Sequence, residues 1–382
     1  MQGRITVSRP KNSNCLSLNS VYSDKNCVFA LGIKIGDLLT DVRHSLKLRE
    51  LKGQILGIDA YVMMYQFLAR IRQDMSGEEF TDAEGQTTSH LIGMFYRTVA
   101  LLEEGIKVVF VFDGPPPDFK RTELARRAEL KRRAEEARIL ALEQGKIEEA
   151  AKFAQRTVSI NEKILGDSKR LLDLLGVPYL TAKHDAEAQL AVMAQQGVVN
   201  AVASQDYDTF LFGAPLVARN ITVSQVRRSA VGQVTSVIPE KIYLEEALKY
   251  LGINRNQLIN LGLLVGTDFN HKIPKVGPST ALKLVQEYTS WESLESYVKR
   301  KYLSPEDNFD NYFSAAPPST IINYFFNPPY TKDYKLTFDR VDIKGTLNYL
   351  VDEKSFGVER VKQRLKKLEA MQKQKKLTSF LE

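Results

Sequence analysis

The chain has 382 residues, 43% apolar and 26% charged, and its 53 Lys and Arg against 46 Asp and Glu leave a formal net charge of +7. This length exceeds what one core usually fills, so a main domain of about 250 to 300 residues with appendages is expected, and the positive excess suits a polyanionic partner. Both cysteines, Cys15 and Cys27, fall in the first thirty residues, which excludes a disulfide framework or thiolate metal site in the folded body and points to an intracellular protein; no apolar run reaches the roughly 18 to 20 residues that cross a bilayer, so no membrane partner is expected.

Residues 1–30 are polar and aperiodic and lack the apolar stretch of a secretory signal. They read as a disordered or non-native extension, with order beginning at "LGIKIGDLL" (Leu31–Leu39). Two apolar segments ending in an acid follow, "QILGIDA" (Gln54–Ala60) and "VVFVFDG" (Val108–Gly114), separated by helical patterns at Tyr61–Ile71 and His90–Glu104. Strand, helix, strand at this spacing predicts parallel pairing. The long helical region Lys120–Leu175 opens with "KRTELARRAELKRR", seven Lys or Arg against two Glu. By itself that is a solvated surface helix. Next come a helix at Ala186–Gln196, a third strand "VNAVASQDYD", a fourth at Pro215–Ile221, and an apolar helical run in "LINLGLLVGTDFN" (Leu258–Asn270). The fold class is α/β, with a mostly parallel central sheet flanked by helices.

Asp206 and Asp208 form an i, i+2 acid pair, of which roughly five would arise by chance at average composition. Recurrence makes the pair informative. Asp59, Asp113 and Asp206 each stand just after a run of aliphatic residues, at the carboxyl ends of buried strands where open α/β sheets bind ligands. Asp185, Glu187 and Asp268 can join them, although Asp185 alone reads as a helix N-cap and Glu187 as a first-turn dipole partner. Seven carboxylates converging on one edge require cations. All-oxygen ligation suits Mg²⁺ or Mn²⁺ and disfavours zinc, and the four histidines form no HxH or HExxH pair. Two ions about 4 Å apart can activate a water and stabilise the leaving oxygen of a phosphodiester. The basic run beginning at Lys120, seven residues after Asp113, rises over this cluster and could hold the phosphate. Hydrolysis of a nucleic-acid backbone uses both halves.

In order, "GIDAYVMMYQFL", "TTSHLIGMFYRT", "VFVFDGPPP", "DAEAQ", "SQDYDTFLFGAP" and "LLVGTDFN" closely resemble the flap endonucleases of archaea and eukaryotes, from about Leu31 to Glu382. The resemblance implies a PIN-like 5′ nuclease fold with a helical arch and a helical DNA-binding C-terminal part. It implies a magnesium-dependent endonuclease, with two Mg²⁺ per subunit and Mn²⁺ as a substitute, that cleaves 5′ flaps in branched DNA during Okazaki-fragment maturation and long-patch base excision repair, with an associated 5′–3′ exonuclease activity. Position by position, Asp59, Asp113, Asp185, Glu187, Asp206, Asp208 and Asp268 fall on the metal set, Lys120 and Arg127 on the basic pair at the scissile phosphate, and Tyr65 on the aromatic that stacks a base. Gly277 and Ser279 would offer a helix N-terminus to a DNA phosphate. The tail "QKKLTSFL" resembles a sliding-clamp (PCNA) binding box anchored by Gln374, Leu377, Phe380 and Leu381. A monomer is expected, in the cytoplasm or nucleoid if the source is archaeal.

The implied segments are an N-terminal nuclease region at 31–125, the arch and crossover at 120–175, an internal nuclease region at 176–355 with a helix-two-turn-helix near 258–288, and a basic tail at 356–382. The chain departs from the family in three places. Asp185 stands where Glu is usual, Lys275-Val276-Gly277 replaces a Gly-Ile-Gly loop that can hold potassium, and the first thirty residues have no counterpart, so translation is expected to start at Leu31 unless they form a regulatory tail. Competing readings are a sister 5′ nuclease of gaps, bubbles or junctions, a phosphatase of the Asp-x-Asp-x-Thr type through Asp206-Tyr207-Asp208-Thr209, and a clamp-bound, non-catalytic DNA scaffold.

Overall fold

The computed structural model describes residues 32–71, 79–221, 226–228, 234–304 and 306–378. A short β1 (His44–Ser45) precedes β2 (Ile55–Asp59), whose apolar run passes directly into helix α1 (Ala60–Arg70). Helix α2 (Ser89–Glu103) then leads to β3 (Lys107–Phe112), followed by α3 (Arg121–Glu143), α4 (Ile147–Ala154) and α5 (Glu162–Leu174). The chain continues through β4 (Tyr179–Thr181), α6 (Ala186–Gln195), β5 (Ala201–Ala203), α7 (Asp208–Leu211), β6 (Leu216–Arg219), the paired β7 (Val226–Arg228) and β8 (Val234–Ser236), and β9 (Glu240–Tyr243). Among the described residues seven α-helices complete it: α8 (Leu244–Leu251), α9 (Arg255–Val265), α10 (Pro278–Glu287), α11 (Trp291–Tyr302), α12 (Pro318–Phe326), α13 (Ile343–Asn348) and α14 (Val358–Thr378).

Seven strands form one sheet in the order β1-β9-β6-β5-β2-β3-β4. The five central strands are mutually parallel, and β9 runs antiparallel to β6. The chain leaves β2 toward β3 and β4, then returns to place β5 on the other side of β2. That reversal opens a crevice at the carboxyl ends of β2 and β5, where doubly wound sheets bind ligands. Register puts Asp59 level with Val111 of β3, so Asp113 lies two residues further along the same edge.

The central strands are buried on both faces, with Leu56, Ile58 and Val108 to Phe112 all closed from solvent, and this explains their continuous apolar runs. Helix α6 packs on β2, β3 and β5, and α14 packs on α2. In contrast, α3 carries a charged face laced by Arg126–Glu123, Arg132–Glu129 and Arg132–Glu136 pairs and packs back on α4 as a hairpin. A helix this polar is held by such pairs and its partner helix rather than by a core. Described residues from Gly32 onward belong to one compact unit. No helix among them is long and apolar enough to cross a membrane.

Candidate active site

Each acid reaches the crevice by a local device. Asp59 ends β2 and caps α1, its Oδ1 accepting from Val62 N at 2.9 Å. Asp113 follows β3 and accepts from the backbone N of Ala186 at 2.8 Å, which ties the end of that strand to the start of α6. Asp185 is the N-cap residue of α6, and Glu187 lies one residue into the helix, where Ser204 and Thr209 hydroxyls donate to its Oε1 at 3.2 and 3.4 Å. Asp206 leaves β5 and Asp208 starts α7. Helix α9 is buried along its whole length from Gln257 to Val265 and is capped by Asn254; it ends at Gly266 and delivers Asp268 to the same place.

The amino-terminal segment closes the edge. Ile33 N donates to Asp208 Oδ1 at 2.7 Å. Gly32, with φ +96, passes so near that a Cβ there would stand 3.1 Å from Asp208 Cγ and 3.2 Å from Asp206 Cβ. A side chain would therefore push the acid pair out of line.

Two cations stand among the acids. Lys120 Nζ donates to Asp185 Oδ1 at 2.5 Å and pairs with Asp268 Oδ2 at 3.4 Å. Arg127, two turns along α3, donates to Asp268 Oδ1 at 2.5 Å and to Glu123 Oε1 at 2.9 Å. The base of the basic hairpin is thus tied to the acid cluster. Burial works against the charge of Lys120, but Asp185 and Asp268 outweigh it and hold its pKa above the ordinary lysine value.

Two cations do not neutralise seven carboxylates. Burial, then the charge of Asp113, pushes Asp59 up to about 8. Burial raises Asp113 to about 6 despite Lys120, and burial with Asp268 raises Asp208 to about 7. Glu187 and Asp206 are held well above the carboxylate range by burial and then by neighbouring acids, Asp206 and Asp208 for the first, Asp208 and Asp268 for the second. Among the described residues, no three His, Cys, Asp or Glu side chains are already arranged to hold a metal ion; Asp185 and Asp268 are turned to Lys120 and Arg127 instead. The donor set nonetheless fits a hard divalent cation. It is all oxygen, multiply anionic, and short of compensating positive charge.

The remaining predicted residues are dispersed. Tyr65 is half-buried on α1 with Lys131 Nζ 5.4 Å from its ring centroid, so it adjoins the hairpin. Gly277 is the N-cap residue of α10, with Pro278 and Ser279 in its first turn, a separate element from the acid cluster. In the preceding loop Lys275 adopts φ +61. The residue replacing the family's first glycine thus takes a left-handed conformation costing about 1 to 2 kcal/mol. Phe380 and Leu381 of the clamp box lie outside the described residues, Gln374 and Leu377 are described by backbone alone, and the expected extension at residues 1–30 also lies outside.

Some neighbours of the site carry no sequence signal. Tyr324 of α12 donates its hydroxyl to Asp185 Oδ2 at 2.5 Å, yet "INYFFN" reads only as an apolar helix. Glu123 reads as one of many surface acids but orients Arg127. A second buried charge group, Lys354 with Asp167 at 2.7 Å and Asp82 at 3.6 Å, joins the C-terminal segment to the stretch before α2.

The fold and this edge define the class: a PIN-like 5′ nuclease fold, a parallel sheet whose carboxylate-lined end lies under a basic helical hairpin. The XPG N-terminal domain model matches residues 32–135 and the XPG I-region model residues 176–268, spans that contain all seven acids. Flap endonuclease 1 of Pyrobaculum neutrophilum is 43% identical over 358 residues, 92% of this chain and 98% of that protein. The solved flap endonuclease-1 of Methanococcus jannaschii is 34% identical, with a TM-score of 0.66 over 88% of this chain and 98% of that one. The catalytic core of Rad2 in complex with DNA substrate, 24% identical with a TM-score of 0.65 over 87% and 98%, shares the fold. The chain belongs to the flap endonuclease family and is a nuclease. That membership sets aside the phosphatase and the non-catalytic scaffold.

Proposed function

We propose that this enzyme is a magnesium-dependent, structure-specific nuclease that cuts branched DNA at the base of a 5′ flap, with an associated 5′–3′ exonuclease activity, serving Okazaki-fragment maturation and long-patch base excision repair. The observation that carries the reading is the convergence of Asp59, Asp113, Asp185, Glu187, Asp206, Asp208 and Asp268 on one sheet edge, with Lys120 and Arg127 reaching into it from the base of a basic helical hairpin. These seven carboxylates would hold two Mg²⁺, or Mn²⁺ in their place. When bound, the ions supply an activated water and charge stabilisation for the leaving oxygen.

The chain's own groups do the rest. Lys120 and Arg127 exchange carboxylate partners for the scissile phosphate and stabilise the charge that grows on it. Tyr65 stacks a base beside the scissile bond. The hairpin, α3 with α4, forms the arch that takes the free 5′ end through backbone contacts, and the α10 N-terminus at Gly277 and Ser279 receives a phosphate of the downstream duplex. The segments divide as 31–125, 120–175, 176–355 and 356–382, the last recruiting the sliding clamp through Gln374, Leu377, Phe380 and Leu381. The protein works as an intracellular monomer.

Cleavage of an end-labelled double-flap substrate, with Mg²⁺ and with EDTA, tests this reading. A Mg²⁺-dependent product of flap length is expected. Mononucleotide release alone, or cleavage of gaps and junctions but not flaps, would overturn it.

A further inference from the structure

Asp185 is engaged at both oxygens by side chains from different parts of the fold. Tyr324 Oη donates to Oδ2 and Lys120 Nζ to Oδ1, each at 2.5 Å. A carboxylate so placed cannot rotate without breaking a buried hydrogen bond. The Tyr324 ring is equally confined. Phe119, Phe269 and Phe212 meet it edge-on with centroids 5.1, 5.2 and 5.8 Å away. Two of these rings also bound Lys120: Phe119 is its neighbour in the chain, and its Nζ lies 5.6 Å from the Phe269 centroid. One aromatic cluster therefore holds both ends of a Tyr324–Asp185–Lys120 chain.

We infer that Tyr324 is a positioning residue that acts through Asp185, the link between them, to fix the Lys120 ammonium at the sheet edge. The inference rests on the proposed contact of Lys120 with the scissile phosphate. Without the phenol oxygen Asp185 is free to turn, and Lys120 can follow Asp268, its second carboxylate partner. A buried phenol with no role in placing Lys120 would leave that lysine's reactivity unchanged when removed.

Tyr324→Phe keeps the ring and its packing, and Asp185→Asn keeps the size of the link. In the full-length protein without metal or DNA, competitive acylation read by mass spectrometry should show Lys120 labelling, relative to exposed Lys366, raised about fivefold by either change. In Mg²⁺, Tyr324→Phe should cut the single-turnover rate on a double flap by about tenfold, while the Kd in EDTA stays within about twofold. In a Lys120→Ala background Tyr324→Phe should add nothing to the rate loss. Unchanged Lys120 labelling in both variants, or an additive rate loss in the Lys120→Ala background, would overturn the inference. Raised labelling with Lys120→Ala cutting at the wild-type rate would support the link and refute only the phosphate contact.

Discussion

Gly114 is the residue on which the alignment of Asp113 with α6 depends. Its N–H donates to His184 O at 2.7 Å, and a Cβ added there would stand 2.2 Å from Ala182 O and 2.8 Å from Lys183 O. Both obstacles are backbone, so no rotamer change relieves them. Restoring ordinary contact requires the β3 end and the segment before α6 to part by about 1 Å, which strains Asp113 to Ala186 N as well as the Gly114 bond. Overpacking of this kind costs about 1 to 3 kcal/mol, and two weakened hydrogen bonds add about 1 each, so Gly114→Ala should destabilise by about 3 to 5 kcal/mol. A misplacement of about 1 Å at reacting groups should lower the rate about a hundredfold. Urea unfolding gives the first quantity, and single-turnover cleavage at a temperature where the variant is folded gives the second. A loss below about 1 kcal/mol with a near wild-type rate would refute the reasoning, because the two segments would then be free to adjust.

Glu187→Gln and Asp206→Asn should nearly abolish cleavage while retaining flap binding in EDTA, since removing a negative charge does not weaken attraction to phosphate; single-turnover rates across a Mg²⁺ titration, with binding isotherms, check this. Removing residues 374–382 should leave intrinsic cleavage unchanged and abolish its stimulation by the sliding clamp, measured side by side with the full chain. His90 is buried without a partner for either ring nitrogen among the described residues, and burial lowers its pKa from 6.5 to about 4, with Asp167 and Lys354 as its charged neighbours. The unfolded chain therefore takes the proton first, so the stability this group contributes is full above pH 6.5 and falls by about 3 kcal/mol toward pH 4; His90→Leu should flatten that part of the stability–pH curve, and parallel curves would contradict it.

The four strands read from sequence share one feature: an aliphatic run buried on both faces, three of them followed by an acid. Burial on both faces is a local demand, so it is written locally. Strand β4, three residues long, and β1 with β9 at the other edge carry no such run, because they are fixed by pairing with β3 and β6. The site divides in the same way. Its carboxylates are visible because each stands at or within a few residues of an element's end, while Tyr324 is not, since a hydroxyl 139 residues from its acceptor looks like one more ring of an apolar helix. At Lys275 the missing glycine was legible and its consequence was not. The loop keeps a left-handed residue there, φ +61, and the surrounding structure carries the strain.

Charge links the sheet edge to the hairpin above it. Arg127 divides its guanidinium between Glu123 on its own helix and Asp268 at the end of α9, and Lys120 divides its ammonium between Asp185 and Asp268. Asp268 is thus the carboxylate both cations share, and any phosphate entering the crevice competes with it. A phosphodiester offers a guanidinium the same bidentate acceptor geometry as a carboxylate, but here it must displace an existing, partly buried bond. The exchange is nearly balanced in hydrogen bonds and gains only if Asp268 finds other positive charge when it is released. On the proposed contact of Lys120 and Arg127 with the phosphate, binding of the backbone and neutralisation of the acid edge would therefore be coupled through Asp268: each would make the other more favourable.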